Sequence, residues 1–211
     1  MNDPRADALR GGYATVARAY SEQLGNELAG KPLDRGFLDA FAERCAGGLV
    51  VDVGCGPGQI AHYLASRGAN IEGIDLSPAM IDEAISSHPG IAFRVGDMFA
   101  LPYASSYVAG IVAFYSIVHL RSDELRAPFR EFHRVLAPGG LAAIAFHVGT
   151  DTVHVAEMFG CTTSLEFQFH RPEAVAQILG EAGFTIEARL DRDPYPGAEH
   201  PSQRTYLLAR S

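Results

Sequence analysis

Short runs of consecutive hydrophobic residues alternate along the chain with segments in which hydrophobic residues recur every three or four positions. The first run, at 49–53, precedes a segment, 59–67, that places Ile60, Tyr63 and Leu64 on one helical face. Continuous hydrophobic runs are typical of strands buried on both faces of a sheet, and the second spacing is typical of amphipathic helices. The alternation therefore predicts β-α units that build a parallel sheet with helices on both faces.

The same two patterns extend to the end of the chain. Ser77 and Pro78 form a typical helix start, because Ser caps a helix and Pro is preorganised for its first position. A proline-rich loop, and no helix, joins the last two hydrophobic runs, which predicts an antiparallel strand at that edge of the sheet. Further strands are predicted at 70–75, 91–95, 108–115, 141–147, 185–190 and 205–209. Further helices are predicted from Pro78, over 123–136 and over 172–179.

The composition is that of an ordinary globular protein with an acidic balance. The chain has 211 residues, 47% of them hydrophobic and 20% charged, with a formal net charge of −8. This length predicts a single domain over 1–211. A surface for nucleic acid or for membrane phosphates needs clustered Lys and Arg, so we expect neither as a partner.

Cysteine usage and hydropathy favour a cytoplasmic location. Cys45, Cys55 and Cys161 are odd in number and widely spaced, which is not typical of a disulfide framework or a zinc knuckle. The first residues carry no apolar core of a signal peptide. The longest apolar stretch, 107–120, is interrupted by polar residues and is too short to span a bilayer.

Three glycines follow the first predicted strand. Gly54, Gly56 and Gly58 would let the backbone turn tightly and approach a ligand, and the N–H groups of the following helix favour a carboxylate or phosphate. The alternative is a tight strand-to-helix turn without a ligand.

Acidic residues end the second and third predicted strands. Asp75 could accept hydrogen bonds from both hydroxyls of a ribose, or it could cap the helix that begins near Pro78. Asp97 and Met98 suit an adenine, with the carboxylate on its amine and Met98 on its face, or they form an ordinary turn. Since the carboxyl ends of parallel strands share one edge of a sheet, these residues together predict a nucleotide-like ligand there.

Five segments carry the pattern of a known protein family. They are VVDVGCGPG (50–58), IEGIDLSPAMIDEA (71–84), GDMFALPY (96–103), FYSIVHL (114–120) and EFHRVLAPGG (131–140). With them the chain resembles the class I S-adenosylmethionine-dependent methyltransferases of the small-molecule type, which include those of ubiquinone and menaquinone biosynthesis. The resemblance implies an α/β fold with a Rossmann-like, doubly wound sheet of seven strands, mostly parallel, whose last strand is antiparallel. It also implies S-adenosyl-L-methionine as the cofactor.

The resemblance assigns cofactor-binding roles to particular positions. The N-terminal stretch would close the site with two tyrosines seven residues apart, and the strand ends would hold the rest of the cofactor. The residues near the methionine part are Asp52, Gly54, Cys55, Gly56, Gly58, Phe114 and Tyr115. The residues near the adenosine part are Asp75, Leu76, Met80, Asp97 and Met98, and the closing tyrosines are Tyr13 and Tyr20.

The chain departs from many relatives in two places. Val108 and Ala109 stand where a Phe-Asp pair often enters the fourth strand. His119 follows Val118, whereas relatives often carry two successive histidines there. The first departure is interpreted as a local structural change, and the second puts any role of the histidine pair in doubt.

Histidines are the candidates for a general base. His119 follows the fourth strand and His147 ends the fifth, and an imidazole titrates near neutral pH. The alternative for both is a structural role at a strand end. Tyr115 and Glu166 could orient an acceptor. The spacing of the histidines and acidic residues between 147 and 170 matches no compact metal-ligand pattern, so no metal site is predicted.

The predicted activity is transfer of a methyl group to a small-molecule acceptor, at a hydroxyl oxygen, by in-line displacement. Residues 1–45 would form an N-terminal helical cap, and the apolar insertion at 148–170 would form a lid. One alternative is a protein that binds S-adenosylmethionine without methyl transfer, as a non-methylating catalyst or a regulator. An NAD-dependent enzyme is disfavoured because the glycine turn is G-x-G-x-G with Pro57 inside it.

Overall fold

The computed structural model describes residues 4–211. The helices in this range are α1 Pro4–Leu24, α2 Pro32–Arg44, α3 Gln59–Ser66, α4 Pro78–Ser87, α5 Arg126–Val135 and α6 Pro172–Glu181. The strands are β1 Leu49–Val53, β2 Asn70–Asp75, β3 Ala92–Val95, β4 Val108–Phe114, β5 Leu136–His147, β6 Thr152–Met158, β7 Cys161–Gln168, β8 Thr185–Arg192 and β9 Arg204–Arg210. Short 3-10 helices cover Glu27–Gly30 and Ile117–His119.

Seven strands form one sheet in the order β3-β2-β1-β4-β5-β9-β8. The neighbours from β3 to β5 are parallel, and β9 is antiparallel to both β5 and β8. The predicted seven-stranded, Rossmann-like sheet with an antiparallel last strand is therefore confirmed. That strand does not lie at the edge, however. After α6 the chain forms β8 at the edge of the sheet. Strand β9 then runs antiparallel between β8 and β5.

Helices cover both faces of the sheet, as the hydrophobic pattern predicts. Val50 and Val51 are neighbours in β1, so their side chains point to opposite faces. Val50 packs in a core with residues of α2 and α3, and Val51 packs in a core with residues of α5 and α6. Strands β1 and β4 are parallel, but the order in which successive strands are added to the sheet reverses between them. This reversal opens a crevice at their carboxyl ends, where such sheets bind ligands.

The insertion at 148–170 forms a hairpin. β6 and β7 pair antiparallel as a separate two-stranded sheet. Both turn residues, Phe159 and Gly160, have positive φ angles of 53° and 77°, as a tight hairpin turn requires. The sequence analysis predicted an apolar insertion here but no strands, because their alternation is irregular.

The hairpin packs on α1. Gly12 lets the two elements approach closely, since an added Cβ would lie 2.6 Å from a methyl carbon of Leu165. The hydroxyl of Thr163 donates a hydrogen bond to the carbonyl of Gly12 at 2.9 Å. Helix α1 and the hairpin therefore form one layer across the carboxyl edge of the sheet.

One helix is shorter than its hydrophobic spacing predicts. The pattern predicts a helix over 123–136, but α5 begins at Arg126. The carboxylate of Glu124 accepts a hydrogen bond from the Arg121 amide at 2.7 Å, which stabilises a turn in front of the helix. At the other end Leu136 already pairs with Val108 of β4, so the strand begins before the Pro-Gly-Gly segment. Among residues 4–211, no helix is long and apolar enough to cross a membrane.

Candidate active site

The carboxyl ends of β1, β2, β3 and β4 line one cavity of about 940 Å³, and α1 closes it from above. The predicted site residues along its wall come from five separate parts of the chain. They are Tyr13, Tyr20, Gly54, Cys55, Gly56, Asp75, Leu76, Met80, Asp97, Met98, Phe114, Tyr115 and His119. Three predicted residues, Asp52, Gly58 and His147, do not line this cavity.

The loop after β1 exposes its backbone to the cavity. Gly54 and Gly56 have φ angles of 73° and 52°, a region that favours glycine. A Cβ on Gly54 would lie 2.3 Å from the Cβ of Ser116, so the loop after β1 touches the loop after β4. Gly58 serves a different purpose: it precedes α3 with a φ of 87° and packs under the Phe93 ring.

Asp75 connects two segments of the cavity wall. One carboxylate oxygen accepts the Gly56 amide at 2.9 Å, and the other accepts the Ser77 amide at 2.8 Å. Burial raises the pKa of the carboxyl, and these backbone hydrogen bonds oppose the shift. A carboxylate offers about four lone-pair sites, so Asp75 can still accept hydrogen bonds from two hydroxyl groups. The capping and the ribose-binding interpretations are therefore compatible.

Asp97 and Met98 lie at the other end of the cavity, after β3. One oxygen of Asp97 accepts the Phe99 amide at 3.0 Å and thereby stabilises the turn. The side chain of Arg10, in α1, donates to the carbonyl of Leu76 at 3.3 Å. This contact holds α1 over the edge of the cavity between Leu76 and Asp97.

Asp52 is buried beneath the glycine loop. Burial and the negative charge of Asp75 raise the pKa of Asp52 to about 8. A hydrogen bond from the Ala61 backbone acts in the opposite direction and lowers the pKa. Its Oδ2 atom has no hydrogen-bond partner among residues 4–211. The group is thus a carboxylic acid that keeps its proton at neutral pH.

A second cavity, of about 1080 Å³, adjoins the first. His147 lies in its wall, together with hydrophobic residues of the β6–β7 hairpin. Tyr13, Tyr20 and Tyr115 line both cavities. These three tyrosines, called here the tyrosine wall, are the boundary that the two cavities share.

Tyr13 and His119 form a hydrogen-bonded pair in this boundary. The Tyr13 hydroxyl lies 2.6 Å from Nε2 of His119, and Nδ1 of His119 lies 2.8 Å from the carbonyl oxygen of Glu166. Burial lowers the pKa of His119 to about 4, so the ring is neutral at pH 7. A carbonyl oxygen can only accept a hydrogen bond, so Nδ1 of His119 carries the ring proton and donates to Glu166. Nε2 of His119 therefore accepts a hydrogen bond from the Tyr13 hydroxyl.

Tyr115 has an unusual backbone conformation and a fixed hydroxyl. Its φ angle is 55°, which is rare for an aromatic residue, and its amide donates to the Ala145 carbonyl at 2.8 Å. Its hydroxyl lies 2.8 Å from that of Tyr206, which itself donates to Asp34 at 2.5 Å and accepts from Arg192 at 3.0 Å. The hydroxyl proton of Tyr206 is therefore used in the bond to Asp34. In the hydrogen bond between the two tyrosines, Tyr115 donates and Tyr206 accepts.

Sequence analysis missed several residues of the site. Gln59 and Ser116 line the first cavity, and Tyr206 and Arg192 support Tyr115 from below. Gln59 directly follows Gly58, and Ser116 directly follows Tyr115. A polar side chain next to each of these predicted site residues was a signal by which sequence analysis could have found both. A weaker signal was the presence of Arg204, Thr205 and Tyr206 directly before the apolar residues 207–209 of the same strand.

The first cavity fits an adenosyl amino acid. Within the described chain, the buried Oε1 of Gln59 and Oγ of Ser116 lack a hydrogen-bond partner, and both residues line the cavity. A side-chain carbonyl oxygen can accept from an ammonium group, and a hydroxyl can donate to a carboxylate. Next to them, a Cβ on Gly56 would meet nothing within 4 Å, so the loop leaves open space there, as the methionine part of S-adenosylmethionine needs.

Known proteins share this sequence and this architecture. A family model described as "Methyltransferase domain" matches residues 50–140. Demethylmenaquinone methyltransferase of Chlorobaculum parvum is 31% identical over 64% of this chain and 65% of its own length. Malonyl-[acyl-carrier protein] O-methyltransferase of Erwinia billingiae is 25% identical over 73% of this chain and 59% of its own. The predicted resemblance to the class I S-adenosylmethionine-dependent methyltransferases is therefore confirmed, and so is S-adenosyl-L-methionine as the predicted cofactor.

Solved structures of low sequence identity share the fold. Magnesium protoporphyrin IX methyltransferase of Synechocystis PCC 6803, solved with bound S-adenosylmethionine, has a TM-score of 0.75 and 18% identity, covering 100% of this chain and 98% of that one. The [4+2]-cyclase SpnF has a TM-score of 0.72 and 20% identity, with coverage of 100% and 98%. This chain spans less than two thirds of the length of each curated relative named above.

Proposed function

We propose that the protein transfers the methyl group of S-adenosylmethionine to a small-molecule acceptor, at a hydroxyl oxygen, by in-line displacement. The observation that carries the proposal is the tyrosine wall, because it is shared by a cavity that suits the cofactor and a cavity open to a second molecule. A donor and an acceptor bound on its two sides would meet there.

The first cavity would hold the cofactor through residues of four loops. Gln59 and Ser116 would bind the amino-acid end beside the glycine loop, Asp75 would accept the ribose hydroxyls, and Asp97 with Met98 would hold the adenine. The cofactor supplies a methyl group that its sulfonium already activates. The task left to the protein is alignment, which in well-oriented intramolecular reactions is worth effective molarities of about 10⁵ M or more.

Helix α1 and the β6–β7 hairpin would act as cap and lid. They pack on each other through Gly12 and Leu165, and they contribute Tyr13 and Tyr20 to the tyrosine wall, with Phe159 against Tyr20. The rings of Tyr13 and Tyr20 are 6.3 Å apart, and those of Tyr20 and Phe159 are 5.8 Å apart. Such packed aromatic rings would exclude water from the transfer.

The Tyr13–His119 pair would remove the acceptor's proton. Nε2 of His119 already accepts a hydrogen bond from Tyr13, so His119 would act through that hydroxyl. The acceptor hydroxyl would donate to the Tyr13 oxygen, whose own proton would move toward Nε2 as the methyl group is transferred. A general base of this kind contributes typically about 10²–10⁴-fold.

His147 would contact the acceptor. Its Nδ1 lies 2.9 Å from the Ser202 hydroxyl, and burial lowers its pKa to about 3, so it is neutral at pH 7. Its ring stacks on Phe169 at 5.1 Å within the second cavity. In this place His147 is better suited to position the acceptor than to remove the acceptor's proton.

The test is formation of S-adenosylhomocysteine. Purified protein would be incubated with S-adenosylmethionine and a panel of hydroxylated aromatic and aliphatic compounds, and the product quantified by mass spectrometry against an acceptor-free control. We expect acceptor-dependent product with at least one class of compound. Tight cofactor binding without product from any compound would instead favour the non-methylating alternative, a possibility consistent with the likeness to the fold of a [4+2]-cyclase.

A further inference from the structure

One part of the wall of the second cavity carries buried charges. Glu27, Lys31, Glu199 and Arg204 all line it. The side chains of Glu199 and Arg204 are 3% exposed, and that of Lys31 is 12% exposed. Buried charged groups need partners, so the partners of each one show what hydrogen-bonding capacity is left for a ligand.

The two carboxylates have their oxygens occupied. One oxygen of Glu199 contacts Lys31 at 3.1 Å and Arg192 at 2.9 Å, and the other accepts from Arg192 at 2.7 Å and from the Tyr195 amide at 2.8 Å. One oxygen of Glu27 is bonded to Lys31, and the other accepts from the side chain of Gln59. Glu199 therefore has no lone pair left for a ligand, whereas each oxygen of Glu27 keeps one.

The two cations keep unused donors. Nε of Arg204 is 3.6 Å from Glu199 and, in the part of the chain that the structure describes, has no hydrogen-bond partner. The guanidinium is held in place by its Nη1, which donates to the carbonyls of His200 and Ser202. Lys31 contacts two carboxylates, and an ammonium has three N–H donors. A ligand group that accepts hydrogen bonds would therefore find unused donors beside Lys31 and Arg204.

The tyrosine wall has the reverse polarity. The hydroxyl proton of Tyr13 goes to His119, and that of Tyr115 goes to Tyr206. Both oxygens can therefore only accept from a ligand. Much of the remaining wall is hydrophobic. Its residues there are Leu24, Val118, Val153, Val155, Met158, Phe159, Phe167 and Phe169.

We propose that the second cavity takes an acceptor with an apolar body, a hydroxyl group toward Tyr13 and Tyr115, and a carboxylate or carbonyl oxygen toward Lys31 and Arg204. Acceptors that place an ammonium beside Lys31 and Arg204 would bind more weakly, because both cations would face it. This inference rests on the proposed function and names the substrate class of the same site.

Four phenols of one skeleton would test the polarity. They are 3-(4-hydroxyphenyl)propanoate, its methyl ester, 4-ethylphenol and tyramine, titrated calorimetrically into protein saturated with S-adenosylhomocysteine. We expect the propanoate or its ester to bind about tenfold or more tighter than 4-ethylphenol, as hydrogen bonds from charged donors allow. Tyramine should bind most weakly. If the propanoate binds more tightly than its ester, the ligand group that Lys31 and Arg204 recognise is a carboxylate. If the two bind equally, that group is a carbonyl oxygen.

Variants then locate the effect. Lys31→Met should remove most of the preference for the propanoate or ester over 4-ethylphenol, and Lys31→Arg should keep this preference. The control is Arg126→Met, which breaks an exposed ion pair with Glu181 and should leave the preference unchanged. Equal affinities for all four phenols, tighter binding of tyramine, or binding of none would each overturn the proposal. None of these results touches cofactor binding or product formation with other acceptors, so the proposed function is tested separately.

Discussion

The Tyr13 hydroxyl donates to Nε2 of His119 across 2.6 Å, and this bond joins the N-terminal helix to the segment that follows β4. On its other side the same imidazole donates to the Glu166 carbonyl in β7. One neutral histidine therefore holds the cap, the sheet edge and the hairpin together. Because the bond lies in the tyrosine wall, it stands where donor and acceptor would meet.

Tyr13→Phe should lower the rate of methyl transfer much more than it weakens cofactor binding. The variant keeps the ring that packs on Tyr20 and removes the hydroxyl that would relay the acceptor's proton to His119. We expect kcat to fall by about 10²–10⁴-fold, the usual contribution of a general base. The rate of S-adenosylhomocysteine formation and the calorimetric Kd of S-adenosylhomocysteine would be measured for both proteins.

Tyr107→Phe is a suitable control for this experiment, because Tyr107 is exposed and lies outside both cavities. If Tyr13→Phe weakened cofactor binding as strongly as it slowed transfer, the hydroxyl would have a structural role and the relay would be wrong.

Asp75→Ala should weaken cofactor binding by about 1–3 kcal/mol, the cost of losing hydrogen bonds to a charged buried group. It should also lower the thermal stability, because both oxygens bind backbone amides of the cavity wall. Calorimetry with S-adenosylmethionine measures the first effect, and thermal unfolding without cofactor measures the second. Asp82→Ala, at an exposed position of the following helix α4, should change neither. An unchanged affinity in Asp75→Ala would remove Asp75 from the site.

The carboxyl of Asp52 should make the cofactor-free protein less stable as the pH rises. Its pKa is raised to about 8 in the folded protein, whereas an unfolded chain releases this proton near its ordinary pKa of about 3.9. Between these values the folded state binds one more proton than the unfolded state. A state that binds more protons loses stability with rising pH, so the unfolding free energy should fall from pH 4 to pH 8.

Asp52→Asn removes this titration and keeps an oxygen that can accept the Ala61 amide. Urea unfolding should show the variant roughly 1–3 kcal/mol more stable than the wild type at pH 8, with a much smaller difference near pH 4. Asp75 titrates in both proteins, so comparing them isolates Asp52. A stability difference that is the same at both pH values would contradict the raised pKa.

Local sequence was sufficient for the sheet and for the cofactor side of the site. The hydrophobic runs predict β1 and β4 to within one residue and the last seven residues of β5, because a strand buried on both faces of a parallel sheet needs a continuous run of apolar side chains. Gly54, Asp75 and Asp97 each follow a strand, and the geometry of a parallel sheet brings strand ends to one edge. Side chains that are distant along the chain could thus be expected together without knowing any contact.

The tertiary structure alone decided the acceptor side. Tyr206 and Asp34 are 172 positions apart in the chain, and Tyr13 and His119 are 106 apart, so no local pattern reveals either hydrogen bond. Which way a hydroxyl donates, and whether a buried carboxylate still has a free oxygen, depends on every neighbour that folding brings to it. The amino-acid sequence determined the elements and the cofactor edge, because those follow from spacing. The polarity of the second cavity follows from long-range partners, which only the packed chain provides.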